Sequence, residues 1–138
     1  MQRVLSITVA VLIAAFASAL SHPAMASTTA SCNSVSLYTD NRGALTDLPT
    51  IGYDTHRDNC LMGVGNQSVA VQYLQDNLDL CYNRNIADDG IFGPQTRAAL
   101  QYAQRVERIP DDGVYGPQTR DHLHWWDPDN KCTRVSHR

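Results

Sequence analysis

Asp88-Asp89-Gly90-Ile91-Phe92-Gly93-Pro94-Gln95-Thr96-Arg97 returns 23 residues later as Asp111-Asp112-Gly113-Val114-Tyr115-Gly116-Pro117-Gln118-Thr119-Arg120. Eight of the ten positions are identical, and the other two exchange Ile for Val and Phe for Tyr. A repeat this tight marks one structural device used twice. Asp-Gly supplies a turn whose second residue is free to take positive φ. The aromatic that follows is a core residue, and Gly-Pro opens a helix with proline in the first turn, where a missing N–H costs nothing. The repeat therefore predicts turn, short helix, turn, short helix.

Working outward, the N-terminal flank reads as an address rather than a fold. Arg3 precedes an apolar run from Val4 to Leu20, and Ala24-Met25-Ala26 supplies the small residues of a cleavage site. Residues 1–26 are thus expected to be a signal peptide cut before Ser27, and the run falls short of an uninterrupted membrane span. Of eleven basic and fourteen acidic residues, only Arg3 is lost with it, so the mature chain is more acidic than the net charge of −3. Nucleic acid and anionic membrane surfaces call for a basic face and are excluded as partners.

Cys32, Cys60, Cys81 and Cys132 all follow the cleavage site. An even count in a small exported domain implies two disulfides, which compensate for a modest core. Of the three pairings, Cys60–Cys81 with Cys32–Cys132 is favoured, stapling the first helical segment and tying the termini. The nested set, Cys32–Cys81 with Cys60–Cys132, stands beside it. Residues 27–59 form an N-terminal extension. Ser34 to Thr39 alternates polar and apolar as a strand does, Asp40-Asn41-Arg42-Gly43 is a turn, and a weak second strand is expected over 44–51, kept to an edge by Pro49. Residues 60–132 form the helical domain and 133–138 a tail. Ser68 is a good N-cap, and Val71, Leu74 and Leu78 make an apolar stripe ending near Leu80–Cys81. Ala99, Leu100, Ala103 and Val106 face inward on a second helix that Ile109-Pro110 ends. Leu123 and Trp126 mark a third helix, stopped by Asp127-Pro128-Asp129-Asn130. The expected fold is a mainly α three-helix bundle preceded by a short hairpin.

Gly65-x-x-Ser68-x-x-Val71-x-x-Leu74-Gln75-x-x-Leu78, followed by Asp89-Gly90-Ile91-Phe92-Gly93-Pro94-x-Thr96-x-x-Ala99-Leu100 and by Asp112-Gly113-Val114-Tyr115-Gly116-Pro117-x-Thr119, resembles the peptidoglycan-binding domain 1 family over about residues 60–126. The resemblance implies a three-helix cell-wall module of the kind fused to wall amidases and peptidases. Three departures from the family pattern stand out. Ser68 replaces the usual glycine before the first helix. Ala103 replaces a large aromatic, with Trp126 at the repeat-equivalent position expected to refill the volume. Arg108 replaces the glycine that ends the second helix, so a left-handed cap is not expected there.

Asp89, Gly90, Phe92, Gly93, Asp112, Gly113, Tyr115 and Gly116 read as structural: turns, core aromatics and local backbone bonds. A sugar–peptide polymer is gripped by aromatic faces and by planar donors. The candidates are Gln95, Arg97, Gln118 and Arg120 near the helix starts, with the aromatics Tyr82, Tyr102 and Trp125. His122-Leu123-His124 suggests zinc, but on a helix two residues apart point about 200° away from each other and cannot share a tetrahedral ion. Asp127–Asn130 lacks the ligand spacing of a calcium loop, and Glu107 is the only glutamate, which leaves a glycosidase carboxylate pair without support. No metal or cofactor is expected. The reading is a secreted, wall-associated, non-catalytic module for peptidoglycan. An interaction protein acting on an exported wall enzyme, and a minimal wall hydrolase, are its alternatives.

Overall fold

The computed structural model describes residues 29–135; the signal-peptide reading of residues 1–26 lies outside them. Two strands, β1 (Ser34–Thr39) and β2 (Leu45–Thr50), pair antiparallel with Leu37 opposite Asp47 and Ser36 opposite Leu48. Asp40 makes the turn between them: its Oδ1 accepts the N–H groups of Arg42 (2.8 Å) and Ala44 (2.9 Å), and Gly43 takes φ +82°. Alternation sends Ser36, Thr46, Leu48 and Thr50 inward, where they are buried, and Leu37 outward.

Helix α1 (Val69–Tyr82) starts at Ser68, whose Oγ accepts the Val71 N–H, and ends at Asn83 in the left-handed region. Helix α2 (Pro94–Val106) and helix α3 (Pro117–His122) each begin with the proline that follows a repeat glycine. Among the described residues, no helix is long and apolar enough to cross a membrane. Arg108 closes α2 at φ 59°, contrary to the expectation from its missing glycine. Two bonds hold it there, Arg108 N–H to Arg105 C=O (3.1 Å) and Ile109 N–H to Gln104 C=O (3.0 Å), the paired bonds of a left-handed C-cap.

The third helix is shorter than its sequence pattern implied. It stops at His122, and strand β3 (His124–Trp126) pairs with β4 (Cys132–Arg134) around the Asp127–Asn130 turn. Leu123 and Trp126 are spaced as on a helix, but Leu123 and Trp125 are the buried pair, and that period of two belongs to extended chain. Asp127 is the hinge of a hairpin, not a helix stop: its Oδ1 accepts the N–H groups of Asp129 and Lys131. The architecture is thus three helices framed by two small antiparallel sheets, and mainly α only in part.

The disulfides are Cys32–Cys60 (Cα–Cα 5.1 Å) and Cys81–Cys132 (5.6 Å), which corrects both expected pairings. Ser68 donates its hydroxyl to the Cys32 carbonyl, so the first bridge sits at the start of α1. Cys81 is in the last turn, about 1.5 Å further along the axis for each intervening residue. The helix keeps the two pairs apart, beyond the reach of a disulfide.

Candidate functional site

Each repeat loop is closed by one buried glutamine from the preceding helix. Gln75 Nε2 donates to Asp89 Oδ1 (3.0 Å), Ile91 C=O (3.0 Å) and Thr96 Oγ1 (2.9 Å), while its Oε1 accepts the Gly90 N–H (2.8 Å). Gln104 does the same for Asp112 (3.0 Å), Val114 (3.0 Å), Thr119 (3.1 Å) and the Gly113 N–H (2.9 Å). The aspartates complete the turns by accepting the N–H groups of Ile91 and Val114, both at 2.9 Å. The Asp89 carboxyl is held below its usual range first by that backbone bond and then by the Gln75 amide. Phe92 and Tyr115 fill the core.

The segment ahead of α1 stitches the two loops together. Met62 exchanges both backbone bonds with Tyr115 (3.0 and 2.8 Å), Gly65 N–H donates to Phe92 C=O (3.0 Å), and Phe92 N–H donates to Asn66 C=O (2.9 Å). This leaves three aliphatic side chains exposed: Val64 between the loops, Ile91 on the first and Val114 on the second. A recess of about 150 Å³ opens beside the first loop, lined among others by Ile86, Ala87, Ile91, Pro94 and Gln95. Asp88 stands next to it, paired with Asp76. Desolvation and the neighbouring Asp88 raise the Asp76 carboxyl above its usual range.

The structure divides the seven candidate ligand residues. Gln95 and Gln118 are exposed in the first turns of α2 and α3. Arg97 is exposed but lies across the second loop, with its Nη2 3.4 Å from the Asp112 carbonyl. Tyr102 keeps about 38% of its surface open, with the Arg84 guanidinium 4.0 Å above its ring. The other three turn inward. Trp125 is fully buried, stacked on Tyr73 and edge-on to Tyr115, and donates its indole N–H to Arg120 C=O (2.9 Å). Arg120 is buried against Asp58 (3.0 Å) and Asp121 (2.7 Å). Desolvation opposes its charge, but the Asp121 bond and the two carboxylates outweigh that and raise its pKa.

Tyr82 donates to Glu107 Oε1 (2.7 Å) and accepts the His124 N–H (2.7 Å). Glu107 also takes His124 Nδ1 (2.7 Å) and Arg134 Nη2, so one carboxylate ties the ends of α1 and α2 to both strands of the C-terminal hairpin. Burial pushes its carboxyl up, yet the bonds from Arg134, Tyr82 and His124 win and hold it below the ordinary 4.5. His122 Nδ1 meets the Gln118 carbonyl instead (2.8 Å), so the two histidines face different partners.

Two features escaped the sequence reading. The glutamines carried a signal, since Val71-Gln72-Tyr73-Leu74-Gln75 is echoed by Leu100-Gln101-Tyr102-Ala103-Gln104. The Ile/Val positions carried one too: they stay aliphatic in both loops, next to the core aromatic, yet they face solvent.

Residues 67–123 match the family model described as "putative peptidoglycan binding domain", which bears out the resemblance over the stretch from the α1 cap to the end of α3. Among solved structures, the chain is similar to a peptidoglycan-binding protein from Clostridioides difficile in complex with glutamine hydroxamate. The identity is 28% and the TM-score 0.48, with 63% of this chain and 54% of that one covered, so this chain spans about half of that protein's length. No curated protein matches.

Proposed function

We propose that this peptidoglycan-binding-domain fold acts as an exported, disulfide-stapled, non-catalytic module that docks reversibly on bacterial cell-wall peptidoglycan. The carrying observation is that the segment resembling a peptidoglycan-binding domain includes both glutamine-closed loops. Beside them stand apolar and amide side chains that the scaffold leaves facing solvent, with Val64, Ile91 and Val114 exposed next to Gln95 and Gln118. Aliphatic patches and a few amides suit a sugar–peptide polymer rich in methyl, hydroxyl and amide groups. The recess at Gln95 is the favoured seat, and Asp89 in its lining, with the Asp76–Asp88 pair beside it, favours amides and amines over free carboxylates. Tyr102 and Arg97 border the surface from α2, whereas Tyr82, Arg120 and Trp125 hold the scaffold. The two bridges suit an oxidising compartment.

Sedimentation of the oxidised protein with washed sacculi at low and high salt tests the reading. Retention in both is expected, because the surface is mostly uncharged. Ile91→Asp and Gln95→Ala are expected to lower retention several-fold with the fold intact. Wild-type protein that stays in the supernatant overturns wall binding and favours a protein partner. Release of soluble fragments overturns the non-catalytic reading.

A further inference from the structure

The outer face of the β1–β2 hairpin lies outside residues 67–123 and takes no part in the surface above. Leu37 and Asp47 are cross-strand partners there, and they line two recesses, one on either side. The first, of about 200 Å³, is walled by Tyr73, Trp126 and Pro128. The second, of about 390 Å³, is walled by Tyr53, Asp54 and Val35. Tyr53 is about 81% exposed and Leu37 about 51%, so both side chains are open to a ligand. Trp126 is half-buried, and its backbone is fixed from two sides: its N–H donates to Asn77 Oδ1 (2.9 Å) and its carbonyl accepts Thr46 Oγ1 (3.2 Å). The backbone that carries the ring is therefore fixed, which lowers the cost of ordering it on a ligand.

Two polar groups here are uncommitted. Asp127 spends its carboxylate on the hairpin turn. The Asp47 carboxylate and the Trp126 indole N–H bond to none of the described residues. No lysine or arginine lines either recess, while Asp47, Asp54 and Asp127 border them. An anionic ligand is repelled by such a strip, and a purely apolar one would strand the Asp47 carboxylate. What fits is a neutral chain of rings, each with an apolar C–H face to lie on an aromatic and hydroxyls to donate to a carboxylate.

We infer that the hairpin carries a second binding site, for a neutral glycan strand, in which one sugar ring lies on Trp126, the next passes the Leu37–Asp47 pair, and a third reaches Tyr53. Asp47 accepts from sugar hydroxyls at the centre of the strip. This site goes beyond the wall-docking surface and does not rest on it.

The test is calorimetric titration of the oxidised protein with a soluble β-1,4-linked tetramer of N-acetylglucosamine, together with amide chemical-shift mapping. Saturable binding is expected, with shifts at Leu37, Asp47, Tyr53 and Trp126. Trp126→Ala is expected to weaken it about tenfold, a loss in the range of one aromatic stack. Tyr53→Ala and Asp47→Asn should weaken it several-fold, and Tyr53→Ala touches no described hydrogen bond, so it decides the matter if Trp126→Ala misfolds. A carboxylated glycan of the same length should bind more weakly. No saturable binding, shifts confined to 91–95, or full affinity in Tyr53→Ala and Asp47→Asn overturns the site. Tetramer binding without retention on sacculi removes wall docking and leaves this site standing, and the reverse result removes this site alone.

Discussion

The loop from Asp88 to Pro94 and the loop from Asp111 to Pro117 are each closed by one amide, Gln75 or Gln104, yet different things lie against them. A Cβ built on Gly90 would meet the Ser68 carbonyl at 3.1 Å, whereas on Gly113 it would meet Arg97 Cγ at 2.6 Å and Gln101 Cγ at 2.9 Å. Gly93 has nothing within 4 Å, but Gly116 faces Leu61 Cδ2 at 2.9 Å. The chain accumulates on the side of the second loop. The Asp58–Arg120 pair brings the extension against α3, and the C-terminal hairpin sets Trp125 edge-on to Tyr115. The first loop keeps its recess. Repetition thus specifies the bonds inside a loop and says nothing about what the rest of the fold places over it, which is why identical motifs need not share a ligand.

Removing the common element should have the largest effect and should act equally on both loops. Gln75→Leu and Gln104→Leu each strand a glycine N–H and remove the amide donor shared by an aspartate, a carbonyl and a threonine, at about 2–3 kcal/mol. Denaturant unfolding with the disulfides intact measures both, and a gap above about 1 kcal/mol would break the equivalence.

The cover over the second loop is the next target. Glu107→Gln loosens the hairpin at about 2 kcal/mol, since the exposed Arg134 partner contributes little. The folded Glu107 pKa is depressed, so its stabilisation is complete above the unfolded value and disappears as pH falls through the lower folded value. Wild-type protein should therefore lose stability on acidification below about pH 4.5, where the variant's profile is flatter. Amide exchange should speed up at Gly113 and hold steady at Gly90.

Two smaller effects sharpen the contrast. Gly90 and Gly113 share a positive φ of +72° and +71°, so alanine costs each about 1 kcal/mol in backbone strain, with about 1 kcal/mol more at Gly113 from Arg97. Tyr115 buries a hydroxyl that has no partner among the described residues, so Tyr115→Phe should gain up to about 1 kcal/mol in thermal unfolding. A loss would mean that the hydroxyl is bonded after all.

The parts of the fold that were legible are those fixed by neighbours in the chain. The first strand, the Asp40 turn, the Ser68 cap and the proline starts at 94 and 117 are local chemistry. The disulfide pairing was hidden because it depends on the length and direction of α1, which hold Cys60 and Cys81 apart. Adjacent Trp125 and Trp126 carry no local mark of which turns inward; strand pairing with Cys132–Arg134 decides it. Arg97 and Arg120 occupy equivalent repeat positions and diverge because only one meets Asp58. Arg108 adopts the conformation a glycine would favour because the bonds from 108 and 109 back into α2 outweigh its side-chain penalty. Among the candidate surface residues Gln95 and Gln118 face solvent, while Ile91 and Val114, each next to the core aromatic of its loop, were not singled out although they are exposed.

The most direct test of an open first loop beside an enclosed second one is amide shift mapping with soluble muropeptides. The account predicts perturbation of Ile91, Gly93, Gln95 and Thr96, with Gly116, Gln118 and Thr119 largely still. Perturbation centred on residues 116–120, or none near either loop, would contradict it.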